Sequence, residues 1–115
     1  MPVNCLPHTG FRQVPGFAIA SQIRALARGK ASLHLDRERA WASVTFSGLR
    51  YCFSIEWPEA SDASAAQDLA RILPDQEFAI PGYFVADIVI TDQSDSRLQV
   101  EILCIVDPVN ALRVS

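Results

Sequence analysis

The sequence predicts an α+β fold in which five mostly antiparallel strands carry two helices on one face, in the order α-β-β-β-α-β-β. Three observations lead there. Apolar residues recur at helical spacing in two segments, 17–28 and 62–73. Elsewhere the apolar period is two, as in a strand with one buried face. The links between neighbouring period-two segments are short and polar, which suits hairpins, since a parallel crossover needs about a dozen residues or more. A sheet with one apolar face then wants both helices across it.

The elements follow in order. Residues 1–16 hold Pro2, Pro7, Gly10, Pro15 and Gly16 and read as an irregular lead-in. Ile19, Ile23 and Leu26 then fall on one helical face, and Gly29 stands where a left-handed cap would end that helix. Leu33 and Leu35 alternate with polar residues in 31–36, as do Ala42, Val44 and Phe46 in 40–46, with Asp36–Arg39 as the link. The cleanest run is Leu49–Trp57, where Leu49, Tyr51, Phe53, Ile55 and Trp57 alternate with Arg50, Cys52, Ser54 and Glu56. Pro58 ends it. Ser61 or Asp62 can cap a second helix bearing Ala66, Leu69, Ala70 and Leu73, which Pro74 stops. Tyr83–Thr91 and Arg97–Asp107 are β-branched strands around a polar TDQSDS turn, and 108–115 is a tail. Phe46, Phe53, Ile55, Leu69, Ile88 and Ile102 are the expected core.

At 115 residues, half apolar and a fifth charged, the chain reads as a single domain, 1–115, with room for a core. No apolar run approaches the roughly 18 residues that span a bilayer. MPVNCLPHTG has no basic start followed by an apolar stretch, and three isolated cysteines form no CxxC pair. A soluble, cytoplasmic protein without a membrane partner is the expectation. Charge divides unevenly. Residues 1–50 carry seven basic groups against two acids, a net +5, and residues 51–115 carry three against eleven, a net −8. Such a split permits attraction within the fold or a bipolar surface.

Most catalytic motifs are missing. The five glycines make no GxGxxG, Thr45 stands where GxSxG needs glycine, and Lys30 is the only lysine. Cys5 and His8 have the spacing of half a zinc site without a second pair, and Cys104 belongs by alternation to the core face, away from His34 and Cys52. No metal and no cofactor is expected. The first five elements resemble the double-stranded-RNA-binding domain in element order alone. The segment matching its phosphate-gripping helix, SDASAAQDLAR, carries Asp62 and Asp68 and no lysine, so nucleic acid is not an expected partner.

What remains is the polar face of the sheet. His34 beside Glu56 or Glu101 would form an acid–base pair, and Asp87, inside FVADIVI, is a carboxylate in apolar company; His34, Glu56 and Asp87 are the catalytic candidates. Arg50 and Cys52 are the ligand-binding candidates. Tyr83, Val85 and Val89 oppose Phe84, Ala86, Ile88 and Ile90, while Leu103 and Ile105 oppose the core side of the last strand. Those five form a candidate self-association patch. The leading expectation is a non-enzymatic interaction or accessory module that pairs with a second copy or another protein through its sheet. The alternative is a small-molecule-binding protein or minor enzyme using the polar face or a sheet–helix pocket. Phe53→Ala is expected to cost about 3–5 kcal/mol in chemical denaturation; a loss under about 1 kcal/mol would place Phe53 on the wrong face.

Overall fold

The computed structural model describes residues 15–58 and 63–107. In these residues the chain forms α1 (Pro15–Leu26), β1 (Ser32–Ala42), β2 (Ser47–Glu56), α2 (Ala63–Ile72), a short 3-10 turn (Leu73–Asp75), β3 (Tyr83–Gln93) and β4 (Arg97–Val106). The sheet has four antiparallel strands in the order β1-β2-β4-β3. Two hairpins thus lie side by side, with β2 and β4 in the centre and β1 and β3 at the edges. Among the described residues no helix is long and apolar enough to cross a membrane.

The expected five strands are four because segments 31–36 and 40–46 belong to one strand. Leu35 stands opposite Phe53 and Arg37 opposite Cys52, which leaves Asp36 as an extra residue. Such a bulge sets two residues against one and keeps the flanking side chains on their faces. The apolar phase therefore changes from odd (Leu33, Leu35) to even (Ala40, Ala42) without a turn. Asp36–Arg39 holds no glycine or proline, and its one turn-favouring residue, Asp36, is the bulge itself. The chain reverses at residues 43–46, where the Ser43 N–H donates to the Phe46 carbonyl at 2.7 Å and the Phe46 N–H donates to Ser43 Oγ at 3.2 Å. Phe46 is consequently an exposed residue at the hairpin end and not a core residue. The α-β-β-β-α order shared with the RNA-binding domain is lost with the extra strand.

The second edge strand repeats the device. In β3, Val85 pairs with Cys104 and Asp87 with Leu103, leaving Ala86 extra; Ile90 pairs with Val100 and Asp92 with Gln99, leaving Thr91 extra. Tyr83, Val85, Ile88 and Ile90 all pack against the core despite their mixed parity. The core joins Ile19 and Ile23 of α1, Ala66 and Leu69 of α2, and Leu73 to Tyr51, Phe53 and Ile55 of β2 and Leu98, Val100, Ile102 and Cys104 of β4. Phe53, Ile55, Leu69 and Ile102 are buried as expected, and Ile88 partly so.

Pro15 and Gly16 begin α1 instead of ending the lead-in; proline there forfeits no helical bond, because first-turn N–H groups have no partner in the helix. The Gly16 N–H donates to the hydroxyl of buried Tyr51 at 3.2 Å, tying the helix start to β2. At the other end the Gly29 N–H reaches the Arg24 carbonyl and the Arg28 N–H reaches the Ala25 carbonyl, both at 3.0 Å. This is a Schellman cap. Its left-handed position is held by Arg28, φ 60°, ahead of Gly29, φ 70°. The rest of the lead-in, the tail 108–115 and the capping candidates Ser61 and Asp62 lie outside the described residues.

Gly48 carries the tightest constraint in the sheet. A Cβ there would stand 2.0 Å from the backbone oxygen of Cys104. Only a residue without a side chain allows β2 and β4 to approach at that point. Gly48→Ala is expected to destabilise the protein by about 3 kcal/mol, the upper range of overpacked sites, measured by urea titration; a loss below about 0.5 kcal/mol would show that the strands part there easily.

Candidate functional site

The helices cover one face of the sheet, and pairing alone fixes what the other face presents. Directly opposed residues share a face. Five rows then cross the strands from β1 to β3. The first is Ser32, Glu56 and Arg97, followed by His34, Ser54, Gln99 and Asp92, then by Arg37, Cys52, Glu101 and Val89. The last two are Arg39, Arg50, Leu103 and Asp87, then Trp41, Gly48, Ile105 and Phe84. The face is polar at one end and apolar at the other.

The polar end is a bonded lattice. Glu101 accepts from Arg50 Nη1 at 3.2 Å through one oxygen and from the Cys52 thiol at 3.6 Å through the other. Arg97 Nε lies 3.6 Å from Glu56 Oε2. Ser54, buried although it faces away from the helices, donates its hydroxyl to Asp36 and accepts from Gln99 Nε2 at 3.4 Å. The bulge swings the Asp36 carboxylate over the sheet to meet it, as bulges re-aim side chains. A buried hydroxyl without partners is costly, and here both bonding roles are filled.

The catalytic candidates do not assemble. His34 lies across from Ser54, while Glu56 is paired with Arg97 and Glu101 with Arg50 and Cys52. Asp87 is exposed on the edge strand, so the apolar stretch around it does not bury its charge. Cys52 and Arg50 do meet, through Glu101. Burial, then the hydrogen bond to Glu101 and its charge, push the Cys52 thiol up, so it holds its proton and is a poor nucleophile. Cys104 is buried on the helix-covered side, away from His34 and Cys52. Among the described residues no group of three histidine, cysteine or carboxylate side chains could hold a metal ion; Cys5 and His8 lie outside them.

The self-association candidates divide between the faces. The shift at Ala86 turns Tyr83 and Val85 toward the helices, where they pack on the core. Val89 stays exposed on the open face, whereas Leu103 and Ile105, on the same face, are already buried, at 8 % and 6 % exposure, and need no further cover. There they are joined by Phe84, opposite Ile105, and by Phe46, whose ring meets Phe84 edge-on with centroids 6.4 Å apart. Sequence reading missed Phe84 because it ran one unbroken alternation through β3, and Phe46 because it extended a strand over residues 43–46, where the chain turns. The parity change itself was the available signal.

The ion pairs of the described residues bridge the charge split once. Of the ion pairs among the described residues, Arg50–Glu101 joins the basic and acidic halves, whereas Arg71–Asp68 and Arg97–Glu56 lie within the acidic half. On the open face Arg37 and Arg39 line the β1 edge, while Asp87 and Asp92 line the β3 edge. One side is basic and the other acidic.

Compared with known proteins, the chain matches no family model and no curated protein.

Two buried groups set the alkaline limit of this sheet. Burial pushes the Cys104 thiol from its usual 9.0 up to about 12, and burial followed by the charge of Glu38 raises the Tyr51 phenol. Both keep their protons in the fold at pH values where the unfolded chain has released them. Their contribution is therefore complete below about pH 9 and is lost as pH rises toward 12. Urea denaturation across this range should show stability level to pH 9 and falling above it, with a shallower fall in Cys104→Ala. An identical alkaline slope in that variant would remove Cys104 from the account.

Proposed function

We propose that the protein is a non-enzymatic interaction module that pairs with a second copy of itself through the open face of the sheet. The observation that carries this reading is the exposed aromatic pair Phe46 and Phe84, 40 % and 39 % exposed and in edge-on contact, with Val89, 41 % exposed, farther along beyond Asp87, on a face without a helix among the described residues. Leaving apolar area wet forfeits about 25 cal/mol per Å², and contiguous exposed patches mark interaction surfaces.

The charges favour a second copy over an unrelated partner. A two-fold axis running along the strands, in the plane between two stacked faces, lays the β1 edge of one copy over the β3 edge of the other. Residues in one row then face the same row reversed. Arg39 meets Asp87 of the other copy, twice, and Phe84 and Ile105 close on the region of Gly48 and Trp41. Strand directions stay nearly aligned, as in packed sheets with their natural angle of roughly 30°. A two-fold interface is the commonest way for a soluble chain to cover such a face.

Sedimentation velocity at micromolar concentration should show a dimer that Phe84→Asp dissociates. Arg39→Glu and Asp87→Arg should each weaken it about tenfold or more, and the double reversal should restore it, because the pair re-forms across the interface. A strict monomer, or a dimer indifferent to the three single substitutions, would overturn the reading.

A further inference from the structure

A cleft lies on the helix side, away from the open face, between the C-terminal end of α1 and the flank of α2. Its volume is about 470 Å³, within the roughly 300–1,000 Å³ of small-molecule sites. Buried Trp57 and Leu69 line it, while Arg28, Lys30, Asp68 and Arg71 supply its charge. Asp68 is bonded to Arg71. Arg28 and Lys30, the only lysine of the chain, form no ion pair among the described residues. The cleft therefore joins an aromatic and aliphatic wall to two cations that have no ion-pair partner among the described residues.

A second observation concerns Arg28. It occupies the left-handed position of the α1 cap, with φ 60°. Glycine adopts that conformation freely, and an ordinary side chain there costs about 1–2 kcal/mol. A cation at a helix C-terminus recovers part of this through the dipole, but Arg24 already stands in the last turn. Strain kept at a cleft is a pointer to use. The guanidinium is held at the rim of the cavity by a backbone conformation that stability alone would give to glycine.

We infer that this cleft binds a small organic anion with an apolar group, such as an aromatic or alkyl carboxylate or phosphate monoester, its charge on Arg28 and Lys30 and its apolar part against Trp57 and Leu69. The guanidinium and the ammonium supply charge-assisted hydrogen bonds, which are about twice as strong as neutral ones. The apolar wall selects against bare inorganic anions.

Phenyl phosphate is a suitable probe, titrated into the full chain by calorimetry beside phenol and inorganic phosphate. One site per chain is expected, with phenyl phosphate at least about tenfold tighter than either fragment, the gain of one well-made contact. Lys30→Gln and Arg28→Gly should each weaken binding by about tenfold, as losing a charged hydrogen bond does. Arg28→Gly should at the same time raise the melting temperature, since glycine relieves the cap, so weaker binding in that variant is not a folding defect. Phe84→Asp should bind as the native chain does, which separates this site from self-association. The inference is overturned by no saturable heat, by unchanged affinity in both cleft variants, or by inorganic phosphate binding as tightly as phenyl phosphate.

Discussion

A strand offers one apolar face only while its alternation stays in phase, and this sheet keeps its phase by adding single residues to its edges. The central strands β2 and β4 face each other without a shift from Gly48 to Glu56. They meet the helices through Tyr51, Phe53 and Ile55 on one side and Leu98, Val100, Ile102 and Cys104 on the other. The edges cannot follow so regular a path over eleven residues each, because bulges and twist are how an edge conforms to the sheet. Asp36, Ala86 and Thr91 absorb the difference. Without the shift at Ala86, Ile88 and Asp87 would trade faces. A carboxylate would then stand beneath the helices, at the cost of burying charge without a partner.

The same shifts decide what the open face contains. Asp36 supplies the carboxylate that satisfies buried Ser54, and through Ser54 the amide of Gln99 is engaged. Glu101 holds Arg50 and Cys52 together one row along. This end of the face is bonded to itself, so it offers little free hydrogen-bonding capacity to a ligand. The opposite end, around Ile105 and Phe84, has apolar area and no such lattice. Among the described residues the acid–base candidates do not meet, while the aromatic pair Phe46 and Phe84 lies exposed. The cleft beside α2 is a separate resource: it draws Arg28 and Lys30 from the basic half of the chain and Asp68 and Arg71 from the acidic half.

Much of this was legible in the residues. The α+β class, both helices, the β2 run and the return strands followed from period, and Gly29 closes the cap of α1; α2 ends at Ile72, and a 3-10 turn carries the chain through Pro74. The strand count did not follow. Alternation was read as a property of each segment, so a change of parity at Asp36 looked like a boundary when it was an insertion within one strand. The same habit placed Tyr83 and Val85 on the open face and left Phe84 off it. Pairing partners, which only the fold supplies, separated His34 from Glu56 and joined Cys52 to Glu101. Arg28 was invisible as a cap because Gly29, one residue on, is the expected one.

A bulge residue has no partner across the ladder, and this has a meaning at the level of the gene. Removing Asp36 would leave Leu35 opposite Phe53 and the next residue opposite Cys52, with every later side chain of β1 on its present face. Ala86 and Thr91 have the same property in β3. Elsewhere in these strands the loss of one codon inverts the residues that follow until a bulge takes up the slack. The edges of this sheet are thus the places where a codon can be lost without inverting the strand that follows, at Asp36 with the loss of the acceptor for the buried Ser54 hydroxyl, while the unshifted pairing of β2 with β4 has no such place.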